Sequence, residues 1–559
     1  MISDGTGVDT LGTTALGAQT ITLTGTIDNY ATAALEQISG AGTLTGAGSI
    51  YLLSLGNIQQ GAGSLTANLG VLNAATGVAD LLGGSFVVSS SGGFTDTGFG
   101  TFTGLGAGQA DTAPSITLSA ATAGAFSEFI TLSAAGSNAS GYKGALQNIT
   151  LDVTGNVLHT YTLTSGADTI AGAGNDLIVA RAGQLSAGDI INAGTGTNIL
   201  TLAGGGVFDM RAPATLTGVS VVEAQENIGT AAQTLYLDAG FTGTLNASSG
   251  PAGSSLTVYG NLDSATVDLG NGNDTVFVGS SLETINAGGG NDVFFVASGD
   301  AGATLNGGSG VNTLAVAGGS SFVMGGNISS ISNVVINELS GQSETFVANS
   351  IAGLAITGGA GNDTITLGAA TQSVVTGTGN TVIDATAAEA GAAITTEGSA
   401  TLDLTTGGNA TLNAGDDFLT VSLATATNLT LSPLSFITAI AGPGADTITA
   451  LAAEQTLVGG TGIDTLIGYA GFGDLFLGTA GSLNADTIQY FGGNDLIDLT
   501  NIARAGAVLA YSGSATNGTL SVSGGGLTTS ISLSSGTNLA QSRFHMTSDG
   551  HGGTYIALI

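Results

Sequence analysis

The chain has 559 residues, 39 Asp plus Glu against five Lys plus Arg, a formal net charge of −34, 95 glycines, five prolines and neither cysteine nor tryptophan. Five basic residues cannot coat phosphates, which argues against nucleic acid and anionic membrane surfaces as partners, and the missing thiols exclude disulfides and zinc–thiolate sites. Glycine without a period of three excludes collagen, a hydrophobic content of 42% excludes simple acidic disorder, and the length calls for at least two domains.

In chain order, the opening MISDGTGVDTLGTTALG has neither a basic n-region nor an apolar h-region, so no secretory signal peptide is visible. No run of 18 apolar residues occurs anywhere, which predicts no membrane insertion. Short Thr/Val/Ile/Leu runs between Gly, Asn, Asp and Ser clusters, such as TITLTGTI at 20–27 and TVFV at 275–278, predict an all-β chain. LGTTALGAQTITLTGTIDNY at 11–30 and SGYKGALQNITLDVTGNVLHTY at 140–161 share a turn, an amphipathic strand and a closing T-G-[TN]-[IV]. Their interval of roughly 130 residues is a sandwich domain's size. This predicts a β-sandwich over 28–157 and, over 1–27, the final strands of a preceding copy. That orphan segment reads either as a truncation or as a strand donated to a neighbouring sheet edge.

A second, shorter repeat follows. GGAGNDTIT at 358–366 and GGTGIDTLI at 459–467 fit G-G-x-G-x-D-x-U-x throughout, where U is a large apolar residue. AGAGNDLIV at 171–179, LGNGNDTVF at 269–277, AGGGNDVFF at 287–295 and AGPGADTIT at 441–449 miss only the first glycine. Three more copies replace the Asp by Asn198, Asn312 or Thr381. Asp274 to Asp292 and Asp446 to Asp464 are each 18 residues apart, two nonapeptides. That spacing predicts one turn of a right-handed parallel β-roll with two short strands per turn. The Gly-rich loops stack, the Asp places a carboxylate between them, and U fills a thin core. Asp outnumbers Glu by 29 to 10, and its short side chain presents a hard oxygen close to the main chain, as Ca²⁺ prefers. Unscreened, the stacked carboxylates repel, so binding of Ca²⁺ and folding are expected to be one event.

These nonapeptides resemble the RTX (repeats-in-toxin) calcium-binding family, most densely at 163–201, 268–315, 357–384 and 441–498. The stretch 161–202 is similar to the opening of bacterial surface-layer and related RTX surface proteins. LNADTIQYFGGNDLIDL at 483–499 looks like the segment that closes an RTX roll. The resemblance nominates Asp176, Asp274, Asp292, Asp363, Asp446 and Asp464 as Ca²⁺ ligands, with Asp486, Asp495 and Asp498 at the closing end. Asp168, Asp189, Asp417 and Asp474 complete the expected set. The C-terminus FHMTSDGHGGTYIALI resembles the uncleaved tail of proteins exported by type I secretion, which implies an extracellular or cell-surface location. Residues 28–157 are similar to immunoglobulin-like repeats of large bacterial surface proteins. The resulting expectation is an immunoglobulin-like sandwich, a solenoid over 158–500, continuous or broken into blocks, and a β cap over 501–559.

Catalysis finds little support. His159, His545 and His551 are the only imidazoles, and no HExxH occurs. His545 and His551 beside Asp549 fit the secretion-type tail, and adjacent Asp416 and Asp417 fit a degenerate calcium loop better than an acid/base pair. The expected function is a non-enzymatic, calcium-dependent structural protein whose main partner is itself, in a surface layer or filament. A calcium-dependent adhesin for a cell-surface polysaccharide is the second reading, and a secreted polysaccharide hydrolase or lyase the third.

Overall fold

The computed structural model describes residues 28–89, 92–172, 174–225, 232–247, 255–261, 263–319, 321–337, 342–415, 419–470, 473–535 and 538–559. It is all-β, 51% strand with almost no helix, and contains a parallel β-solenoid of about 16 turns. The expected orphan segment 1–27 lies outside the described residues. The chain divides into two compact units, one running to Ala203 with Ala212–Glu223, the other comprising Gly204–Arg211 and Ala224–Ile559.

In the first unit, alternation of apolar and polar residues builds two sheets over one core. One sheet pairs Ala33–Gly40, Ser64–Asn73, Ser115–Ser119 and Phe94–Thr97 antiparallel in that order. The other sets Ile50–Gln59 beside Ile149–Thr162 in parallel, then Gly124–Ser137, Leu81–Ser89 and Phe102–Leu105 antiparallel. Inward residues of both, among them Leu53, Leu69, Val71, Ile116, Leu118, Ile130 and Val153, form a single buried cluster. Ile149–Thr162 runs past residue 157, and its last residues begin the parallel stacking with Asp176–Ala180, which in turn stacks on Ile199–Ala203. Thr169–Ala171, Ile190–Asn192 and Thr215–Thr217 form the facing sheet of these first coils.

One acid interrupts the apolar core of this unit. Glu128 is 1% exposed and faces Asp96 of the strand Phe94–Thr97. Burial, then the neighbouring Asp96 charge, push the Glu128 carboxyl from an ordinary 4.5 up to about 8. Between those values the folded state holds a proton that the unfolded chain has lost, so stability is full at low pH and falls as pH rises through about 8. The thermal midpoint, followed by far-UV circular dichroism, is expected to drop between about pH 4.5 and about pH 8 and to level off above that. Glu128→Gln, which cannot ionise, should flatten that drop; an unchanged slope in the variant would assign the pH dependence elsewhere.

In the second unit, three-residue strands repeat the pattern half-buried, buried, half-buried, as in Thr275–Phe277 and Thr447–Thr449. The outer positions favour Thr and the inner position takes one apolar side chain, so each strand commits a single residue to the core. Stacked in register, these residues make continuous columns: Val276, Phe294, Leu314, Val334 and Ile356 in one, Phe346, Ile365, Ile383, Leu402 and Val421 in another, all at most 1% exposed. The motif-poor stretch 315–357 stays in this stacking, through Asn333–Asn337 between Thr313–Ala317 and Ala355–Thr357. At the far end Leu527–Ser534 stacks parallel on Thr487–Gln489, and Thr554–Leu558 pairs antiparallel with Leu496–Leu499. Both strands of the last coil are thus covered, which removes two open sheet edges.

Candidate metal centre

Six motif loops end in an Asp at or directly before the start of a strand, and Asp363 illustrates what the chain does with it. Its Oδ2 accepts the N–H of Gly359, four residues earlier, at 3.0 Å and closes the loop; its Oδ1 accepts the Glu344 N–H of the preceding coil at 3.2 Å. Asp446 repeats this with Gly442 at 2.9 Å and Thr427 at 2.7 Å, and Asp464 with Gly460 and Asp446, both at 2.9 Å. The Asp464 N–H then donates to Asp486 Oδ1 at 2.8 Å. A ladder of carboxylates therefore runs from coil to coil, each holding the backbone of the coil before it. Asp274 and Asp292 form another stretch: Leu256 N–H donates to Asp274 Oδ1 at 2.7 Å, Asp274 N–H to Asp292 Oδ1 at 2.9 Å, and Asp292 N–H to Asn312 Oδ1 at 3.0 Å.

The opposite corner carries its own ladder. Gln455 N–H donates to Asp474 Oδ1 at 3.1 Å, and Asp474 N–H to Asp495 Oδ1 at 2.9 Å. Their second oxygens close the local loops through Tyr469 N–H at 2.6 Å and Gly492 N–H at 2.7 Å. In the first unit, Asp189 accepts Asp168 N–H at 2.9 Å and Ser186 N–H at 2.6 Å, Asp168 accepts Thr164 N–H at 2.7 Å, and Asp176 N–H donates to Asn198 Oδ1 at 3.0 Å. Asp417 lies outside the described residues. Asp549 closes its own turn by accepting the N–H groups of His551 and Gly553 at 2.7 and 2.8 Å.

Glycine is required where these loops stack. Gly290 and Gly310 have φ of +130° and +114°, and a Cβ on either would collide with the carbonyl oxygen of Gly272 or Gly290 in the coil before.

The nonapeptide pattern missed other corner residues. Glu283 accepts Gly279 N–H and Asn261 N–H, both at 2.8 Å, and Gln372 accepts Gly368 N–H at 2.9 Å. Glu283, Gln372 and Gln455 each stand nine residues after Asp274, Asp363 and Asp446. Their loops, VGSSLE, LGAATQ and ALAAEQ, lack G-x-G, so a search keyed on glycine passes over them. The legible signal was the period of nine itself, a polar side chain directly before each strand.

Burial raises the carboxyl affinity for protons along both ladders. It pushes Asp486 to about 7, and Asp474 and Asp498 to about 6, with the neighbouring charges of Asp464, Asp495 and Asp549 adding to the effect. Asp176, Asp292, Asp446 and Asp495 are raised for the same primary reason.

Two observations bear on whether a cation fits. Oδ2 of Asp176, Asp292 and Asp486 and Oδ1 of Asp498 are buried without a hydrogen-bond partner. A Cβ on Gly172 would meet both Asp176 Oδ2 and the Ala193 carbonyl oxygen, and one on Gly459 both Asp486 Oδ2 and the Ser482 carbonyl oxygen, so acid and carbonyl converge on one spot. At Asn198, one coil after Asp176 in the ladder, the amide Nδ2 donates to the Gly194 and Gly218 carbonyls at 3.3 and 2.8 Å. Asn312 likewise donates to the Ser330 carbonyl at 3.0 Å. Where Asn supplies an N–H, Asp leaves oxygen facing oxygen, and only a proton or a cation balances that arrangement. The donor set is entirely hard oxygen and fits Ca²⁺. By contrast Asp363, Asp446, Asp464, Asp474 and Asp495 have both oxygens engaged by backbone N–H groups. Among the described residues no three His, Asp or Glu side chains gather into a metal cluster, so an ion here would rest on one carboxylate and backbone carbonyls.

No protein-family model matches this chain, and no curated protein matches it.

Proposed function

We propose that this is an RTX-type extracellular structural protein, exported by type I secretion, that folds on Ca²⁺ and assembles with copies of itself into a surface layer or filament. The observation that carries the reading is the buried carboxylate repeated from coil to coil, with oxygens at Asp176, Asp292 and Asp486 that no N–H satisfies. When bound, Ca²⁺ supplies positive charge between such an oxygen and the loop carbonyls. Asp176, Asp292 and Asp486 would hold it, with Asp498 at the closing end. The remaining ladder acids tie each coil's backbone to the next, so that one ordered loop presents its neighbour's. A single apolar residue per strand gives a thin core, and the loops therefore decide whether the coil is stable. The immunoglobulin-like reading of 28–157 belongs to the same proposal and is supported by the two sheets over one core.

The test is electron microscopy of the purified chain in millimolar Ca²⁺ and in chelator. Ordered sheets or fibres that vanish on chelation are the expected result. Monodisperse particles in both conditions overturn the assembly reading and turn attention to glycan binding, measured on a saccharide array.

A further inference from the structure

The outer face of the second unit carries a row of aromatic rings that the calcium reading does not use. Tyr236, Tyr259, Phe277 and Phe295 occupy equivalent places on successive strands, paired in register. Their centroids are 4.4, 4.4 and 4.6 Å apart and their planes within 9° of parallel. Stacked this closely, the rings cover one another's faces, and only the two ends of the row have a face to offer.

One end is already taken. The Arg211 guanidinium lies over the Tyr236 ring at 4.3 Å from its centroid, and Asp209 fixes it there with two hydrogen bonds of 2.8 and 2.9 Å from Nε and Nη2. A planar cation, a ring face and a carboxylate make up this end cap.

The other end has the ring and the carboxylate without the cation. The residue paired with Phe295 on the next strand is Ala315, so the row stops there. A groove of about 300 Å³ opens at that point, lined by Phe277, Phe295, Ala297, Ala315 and Asp300 among others. Asp300 is 7% exposed, and its Oδ2 accepts the Ala297 N–H at 2.7 Å. Burial pushes its carboxyl upward.

We propose that this groove binds the guanidinium of an arginine side chain presented by a partner protein, stacked on Phe295 and paired with Asp300 as Arg211 is with Tyr236 and Asp209. An arginine suits it better than a lysine because the slot continues a stack of flat groups, and a guanidinium is flat and forked. The partner's basic charge also complements a chain of net charge −34.

The test titrates the full chain with the peptide acetyl-Gly-Arg-Gly-amide, its citrulline counterpart and its lysine counterpart, read by calorimetry and ligand-observed NMR. Saturable binding of the arginine peptide is expected, weakened about tenfold or more by citrulline or lysine and by Asp300→Asn in the protein. Ala315→Phe, which extends the row into the groove, should abolish binding while leaving the circular dichroism spectrum unchanged. Equal binding of the citrulline peptide, full binding by Ala315→Phe, or no saturation up to about 10 mM each overturns the proposal.

Discussion

Removal of Ca²⁺ is expected to unfold most of the solenoid in one cooperative step. In excess chelator near neutral pH, the far-UV β signal should fall and the thermal transition broaden or vanish. Titration should restore both with a midpoint of about 0.1–1 mM, the range of extracellular calcium modules. The reasoning is electrostatic. Ligand binding to the native state alone stabilises it by mass action, and several ions on one cooperative solenoid multiply the effect. Without them, Asp176, Asp292 and Asp486 keep a buried oxygen with no donor, and burial, helped by the neighbouring Asp464 charge, pushes Asp486 to about 7. A spectrum and melting curve that are the same in chelator and in about 10 mM Ca²⁺ would show that the backbone N–H groups already suffice for every acid.

The same carboxylates show how far the sequence could be read. The period of 18 between Asp274 and Asp292 and between Asp446 and Asp464 predicted stacked two-strand coils, and each pair sits one coil apart, joined by an N–H to Oδ1 bond of 2.9 Å. The inward position of U was equally legible: Ile365 and Leu466 are fully buried. Segments without the motif were legible only as strand-like parts of the expected 158–500 solenoid, because a coil needs only a polar corner residue and one apolar residue per strand. Gln372 and Asn333–Asn337 satisfy that without any glycine signature. Nor could spacing reveal that a carboxylate has two oxygens with different duties. Both oxygens of Asp363 are spoken for by Gly359 and Glu344, whereas Asp292, in a nonapeptide that lacks only the first glycine, keeps Oδ2 open. That difference depends on the neighbouring coil, which lies 18 or more residues away in the chain.

The second large effect is expected at Asp464, where a structural and a ligating role separate. Asp464 is fully buried, its oxygens accept Gly460 N–H and Asp446 N–H, and its own N–H reaches Asp486. Asp464→Ala strips two buried N–H groups of their acceptors, at about 1–3 kcal/mol each, so it should lose about 2–6 kcal/mol in saturating Ca²⁺, read by urea unfolding. Asp464→Asn keeps the oxygen that Asp446 needs and removes a negative charge from the ladder. Asn198 and Asn312 already occupy equivalent places, their Nδ2 groups on the Gly194, Gly218 and Ser330 carbonyls. The Asn variant should therefore be less destabilised than the Ala variant in saturating Ca²⁺ and gain less than the wild type as Ca²⁺ is raised. If instead both variants lose the same stability and keep the wild-type calcium titration, Asp464 is a corner closer only. Ca²⁺ binding would then rest on the acids with open oxygens, and Asp486, the next rung, becomes the residue on which the ligand assignment is decided.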